Sequence, residues 1–163
     1  PSDVTISHRA EMYNQRASIV VITGVRHAGR KTLARKLEKQ LFNDGKYVYY
    51  LGMGSLLYGV NADLKRHDAP GGWREHIRRF AEVSHLFLDA GMLLIVTAIE
   101  LTQDDLDILK TVIDKDMIHV VWVGSKITTD IEYDVHLKSR DTLDEGVVMV
   151  KHLLQKRGIL FKP

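Results

Sequence analysis

There is no cysteine in these 163 residues, so neither a disulfide framework nor a thiolate metal site is available, and the chain suits a reducing, cytoplasmic setting. No apolar run approaches the ~20 residues that a membrane-spanning helix needs, and no signal peptide is visible. This excludes a membrane protein as the expectation. Charge of one sign is missing too. Lys and Arg number 23 against 21 Asp and Glu, for a net +2, and no basic stripe interleaves with aromatics, so nucleic acid is not an expected partner. The slight basic excess suits smaller anionic ligands. Repeats and low-complexity segments are absent, and the first residue is Pro1 rather than Met, which points to an excised or processed piece. What remains is 45% hydrophobic and 27% charged, a globular composition, and a length that suits one α/β domain with a sizeable core.

The stretch Ser18-Ile19-Val20-Val21-Ile22-Thr23-Gly24-Val25-Arg26-His27-Ala28-Gly29-Arg30-Lys31-Thr32 organises the rest. A β-branched run leads into a loop pinned by two glycines, and a helix-forming segment follows. That is the layout of a phosphate-binding P-loop, in which backbone N–H groups and a helix N-terminus face an anion. The pattern GxxxxGK[ST] asks for Lys at 30 and Ser or Thr at 31, and here Arg30, Lys31 and Thr32 stand instead. Arg30 could supply the charge, although a planar guanidinium does not replace an ammonium conservatively. Alternatively Lys31-Thr32 could act as the pair slipped by one residue, which turns both side chains by roughly 100°. An ordinary strand–loop–helix connection is the bland alternative. His27 sits where related loops place Gly, and a positive φ there would be strained. Gly24, His27, Ala28, Gly29, Arg30, Lys31 and Thr32 are thus the expected anion- or nucleotide-binding set.

Along the chain, residues 1–17 read as a polar lead-in, with Ser7 to Arg16 able to form a short helix. Ser18–Thr23 is a continuous apolar strand, as expected of a buried parallel strand. A helix over Arg30–Asn43 follows, closed by Asp44-Gly45, and then a strand over Lys46–Leu51. The glycine-rich segment Gly52–Pro70 reads as a loop, with a short helix near Ser55–Tyr58. A helix spans Trp73–Ala90 and Gly91 ends it. Strands are expected at Met92–Ile99, Met117–Val123 and Tyr133–Leu137, and helices at Gln103–Asp114, capped by Thr102, and Leu143–Arg157. Alternation of strand and helix predicts an α/β fold: one three-layer P-loop NTPase-like domain over 18–158 with a mostly parallel five-stranded sheet, and 159–163 as a tail.

Three stretches resemble the adenylylsulfate (APS) kinase family. The family's FTGLSGSGKST resembles ITGVRHAGRKT at positions 22–32. Its LDGDNxRxGLNxDL resembles the run from Leu51 through Gly59, Asn61 and Asp63 to Leu64. Its RxENIRRxxEVAxLFxDAG resembles the run from Trp73 to Gly91, the most specific of the three matches. The polar lead-in also resembles the segment that joins such a domain to a sulfate adenylyltransferase in fused sulfate-activating proteins. The resemblance implies that fold, ATP and Mg²⁺ as cofactors, a sulfate adenylyltransferase domain or subunit as partner, and a possible homodimer.

The departures fall on chemistry. The family's Walker Lys and Ser correspond to Arg30 and Lys31, and its DGD carboxylates to Gly52 and Gly54. Its substrate-contacting Arg corresponds to Leu57. The Arg and Asn of RxEN correspond to Trp73 and His76, and FISP becomes Ile99-Glu100-Leu101-Thr102. Between Val123 and Tyr133 there is room only for a short connection, so the kinase lid is missing. The resemblance with these departures implies a non-catalytic structural or regulatory domain that senses an anion or nucleotide. An active kinase making the 3′-phosphorylated product from ATP and APS, or a kinase for another small acceptor, is the alternative. Arg78, Arg79 and His76 are the candidate substrate-side residues and Glu100 the candidate metal ligand, each against the plainer reading of a solvated surface group. Trp73 is expected to pack the helix start, and Tyr47, Tyr49 and Tyr50 to fill a strand.

Overall fold

Each face of the first strand feeds a different apolar layer, and that alternation sets the architecture. The computed structural model describes residues 2–54 and 72–161. Helix α1 (Ile6–Tyr13) precedes β1 (Ser18–Gly24), α2 (Arg30–Asn43) and β2 (Val48–Gly52). Helix α3 (Gly72–Asp89), β3 (Leu93–Thr97), α4 (Gln103–Lys110), β4 (Ile118–Val123), β5 (Val135–Leu137) and α5 (Leu143–Lys156) complete the order. The strands run β2-β3-β1-β4-β5, and every pairing is parallel. The expected "mostly parallel" sheet is therefore wholly parallel. Ile19 and Val21 turn to the layer of α3 and α4, with Phe80, Leu106 and Trp122. Val20 and Ile22 turn to the layer of α2 and α5, with Leu33, Val147 and Val150. A strand buried on both faces reads as an unbroken apolar run, as β1 does.

Boundaries differ from the sequence reading where side chains compete with the backbone. Helix α4 stops at Lys110, short of Asp114, and the Thr111 hydroxyl donates to the Ile108 carbonyl at 2.6 Å, a local bond that competes with helix continuation. Strand β5 begins only at Val135. Just before it the Asp134 carboxylate accepts the Val120 amide at 2.8 Å, standing in for a ladder partner. The lead-in and tail are tied together at the base of the sheet. Gln15, fully buried, donates to the carbonyls of Tyr47 and Gly91 and bridges Leu160, while Ile159 and Leu160 enter the core. The helix expected near Ser55–Tyr58 lies outside the described residues.

His119, on β4 and 1% exposed, is the buried titratable group of this frame. Its Nδ1 accepts from the Arg157 guanidinium at 2.8 Å, and Arg157 also pairs with Asp134 at 2.7 Å. Arginine can only donate, so the imidazole is neutral with its proton on Nε2. Burial, and then the neighbouring Arg157 charge, push its pKa from 6.5 down to about 4. The unfolded chain takes up that proton near pH 6.5 and the folded one does not. Stability is therefore unaffected above that range and falls by roughly 3 kcal/mol as pH drops from about 6.5 to about 4. Urea unfolding of wild type and His119→Gln across this window should give stability differences that slope with pH. A flat difference would contradict the assignment.

Candidate functional site

In open α/β sheets ligands gather beyond the carboxyl ends of the strands, and here β1, β2 and β3 end around two adjoining concavities. The loop from β1 to α2 shapes the first. Gly24, at φ 137°, lies against β4 so closely that a Cβ would fall 2.0 Å from the Val123 carbonyl oxygen. Val25 donates to that same oxygen at 3.0 Å, and Ala28 donates back to Val25 at 3.2 Å. His27 adopts φ 64°, the left-handed region the sequence indicated, with no glycine to relax it. Gly29, at φ 106°, is the N-cap of α2 and offers no side chain to its first amides. The N–H groups of Arg30, Lys31 and Thr32 have no acceptor among the described residues, as expected of a helix start left open to a ligand.

The pocket over this loop holds about 220 Å³ and is lined by Arg26, His27, Arg30, Lys31, Thr32 and Arg140, among others. It shares Arg26, Arg30 and Lys31 with a cleft of about 750 Å³, which Tyr50, Met53, Trp73, His76 and Thr97 continue. Arg30 joins the two. It is 7% exposed, its Nε is buried without a partner, and its guanidinium makes no hydrogen bond or ion pair among the described residues. Burial pulls its pKa below the ordinary arginine value. Lys31 is exposed but lines both concavities, and Thr32 lines the smaller. No acidic residue lines either one among the described residues.

The substrate-side expectations separate. His76 lines the cleft, 1% exposed, with its pKa lowered by burial, and its ring lies 5.4 Å from that of Trp73. Arg78 and Arg79 line neither concavity. Arg78 holds Glu75 through two bonds of 2.7 and 2.9 Å, and Arg79 bonds the same carboxylate at 2.9 Å, which keeps Glu75 near a pKa of about 2. Glu100 sits at φ 44°, and its carboxylate accepts from the Thr128 hydroxyl at 3.0 Å. No group of three or more His, Asp or Glu residues is placed to hold a metal among the described residues.

Three cleft features depart from the sequence reading or escape it. Tyr50 does more than fill a strand, because its hydroxyl meets that of Thr97 at 2.9 Å on the cleft wall. Trp73 is about half exposed along the cleft, with its indole N–H held by Asp105 at 3.0 Å. Arg140 reaches the loop from far along the chain, donating through Nε to the His27 carbonyl at 2.9 Å. No local pattern marks it. The connection over residues 124–134 carries no helix and contributes no lining to either concavity. It folds instead against the start of α4, where Thr129 donates to the Leu101 carbonyl and Asp130 accepts the Gln103 amide.

The sequence model of a family described as Adenylylsulphate kinase matches residues 16–141. An adenylyl-sulfate kinase of Clostridium acetobutylicum is 36% identical over 115 residues, covering 69% of this chain and 56% of that protein. The bifunctional enzyme NodQ of Rhizobium sp. is 39% identical over 97 residues, covering 60% of this chain and 15% of that protein. Among solved structures, a mutant of the Mycobacterium tuberculosis APS kinase CysC superposes with a TM-score of 0.74 at 27% identity, covering 86% of this chain and 99% of that one. This chain spans about half the length of curated adenylyl-sulfate kinases it matches.

Proposed function

The chain belongs to the adenylylsulphate kinase family, and from that premise we propose that it is a non-catalytic member, a P-loop domain that binds an anion or nucleotide in a structural or regulatory role in sulfate activation. The observation that carries this reading is Arg30, a buried guanidinium in the place of the Walker lysine, in a site to which no described residue brings a carboxylate. Phosphoryl transfer rests on positioning and on neutralising charge around the phosphates, largely by Mg²⁺ and basic groups. Here Gly52 and Gly54 stand where the family's carboxylates would be. Glu100 is engaged by Thr128 and lines neither concavity, and Arg26, Arg30 and Lys31 would repel a divalent cation. The described residues do not fit Mg²⁺. The short 124–134 connection, turned away from the cleft, supports the absence of a closing lid.

The working setting in this reading is a cytoplasmic assembly with a sulfate adenylyltransferase domain or subunit. The NodQ relative is itself bifunctional, which supports a fused arrangement, and a homodimer is compatible with it. No helix among the described residues is long and apolar enough to cross a membrane. The rival reading, an ATP-dependent kinase using the slipped Lys31-Thr32 pair, draws support from the place of both residues on the pocket wall. Titrating the chain with ATP in EDTA and in Mg²⁺ separates the two. Equal affinity in both conditions is the expected result. An affinity that rises about tenfold or more with Mg²⁺ would favour the kinase.

A further inference from the structure

We infer that the pocket over the β1–α2 loop is a metal-free receptor for a tetrahedral oxyanion of the phosphate or sulfate type, anchored by the buried Arg30 guanidinium and flanked by Arg140. This rests on the reading of the site as one without magnesium and names its ligand. Four of the lining side chains, those of Arg26, Arg30, Lys31 and Arg140, are cationic, and none of the lining residues is acidic. Like charges crowded on one wall are costly unless a counter-charge sits among them.

Arg30 is the decisive member. A buried, unpaired charge ordinarily escapes its cost by shifting pKa and becoming neutral. Arginine cannot do so, since its guanidinium stays protonated throughout the working range even when burial lowers its pKa. With Nε buried and unbonded, and no ion pair among the described residues, the group is poised for an acceptor that the protein itself does not provide. The nearest acid in its field, Glu100, acts only at a distance while bonded to Thr128.

The open amides of Arg30, Lys31 and Thr32 at the start of the 14-residue α2 add a second, independent set of donors. Arg140 is fixed in place by its bond to the His27 carbonyl, and its other N–H groups make no bond among the described residues. A planar fork suits bidentate contact with phosphate or sulfate oxygens. Such a donor set holds the anion without the metal that a Walker lysine works beside.

The test uses the chain as it stands, in EDTA and at constant ionic strength, with inorganic phosphate, sulfate and adenosine 5′-monophosphate as probes. Melting temperature should rise with each anion as mass action requires, and calorimetric affinity should not change when Mg²⁺ replaces EDTA. Arg30→Met should melt higher than wild type without anion, because the uncompensated charge is gone, and should bind about tenfold or more weakly. Arg140→Met should bind about fivefold more weakly, without the gain in melting temperature. If the monophosphate binds more tightly than phosphate and both are lost in Arg30→Met, the occupant is the phosphate end of a nucleotide. Equal affinities make it the free anion, and either result supports the site. Binding that needs Mg²⁺, or an Arg30→Met that titrates like wild type, overturns it. Kinase turnover by wild type would instead overturn the proposed function and leave metal-free binding to be judged on these curves.

Discussion

Gly24→Ala is expected to cost about 3 kcal/mol or more of stability and to lower the melting temperature by roughly 6–12 °C or more for a chain of this size. Two independent effects add. At φ 137° an L side chain is strained whatever the space, and the new Cβ would meet the Val123 carbonyl oxygen at 2.0 Å and its backbone C and N at 2.8 Å. Relief requires β1 and β4 to part where Gly24 pairs with Val123, and this also disturbs the bonds from Val25 to Val123 and from Glu100 to Gly24. The loop that carries Arg30 would move with them, so anion binding should fall together with stability. Gly54→Ala is the control, because nothing lies within 4 Å of its Cβ position, and it should melt within about 1 °C of wild type. A Gly24→Ala variant as stable as that control would mean that the close approach of β1 to β4 is wrong.

The layers and the loop were legible because they are written locally. A β-branched run, two spaced glycines and a 3.6-residue apolar rhythm each name one element without help from the rest of the chain. Arg30 and Lys31 could be seen to break the motif, but which of them is buried depends on the loop's path over β4, and a pattern does not contain that path. Arg78 and Arg79 drew attention as cations on the best-matched helix. Their engagement with Glu75, three and four residues away, is an ordinary helical spacing, so that pairing could have been weighed from the sequence. Arg140 and the Tyr50–Thr97 contact could not, since they arise only when distant segments meet at one end of the sheet. The lead-in and tail looked dispensable because polar residues flank them. Gln15 and Leu160 become core only through each other.

Wild-type chain is expected to transfer no phosphoryl group, and repairing the loop alone should not change this. Losing one preorganised charge-stabilising group commonly costs ~10²–10³ in rate. Here the Walker lysine is Arg30, the metal-side carboxylates are Gly52 and Gly54, and the acceptor-side residues are Leu57, Trp73 and His76. The connection that would close over both ligands turns instead toward α4. Combined, these losses put the expected rate at least about 10⁴-fold below that of a working kinase. The double variant Arg30→Lys, Lys31→Ser rebuilds the motif and removes the buried guanidinium, so ATP should bind more tightly. It leaves every other departure in place. ADP release dependent on APS from that variant would show that Arg30 and Lys31 alone silence the site.

The most direct measurement is the reaction itself. Full chain, Mg-ATP and APS are incubated together, and the 3′-phosphorylated product is quantified by chromatography beside a matched sample of an adenylyl-sulfate kinase relative. In-line transfer needs the acceptor hydroxyl held against the terminal phosphate with water excluded, and the account predicts no product above the enzyme-free control. Turnover in the ordinary kinase range of ~1–100 s⁻¹ would contradict it.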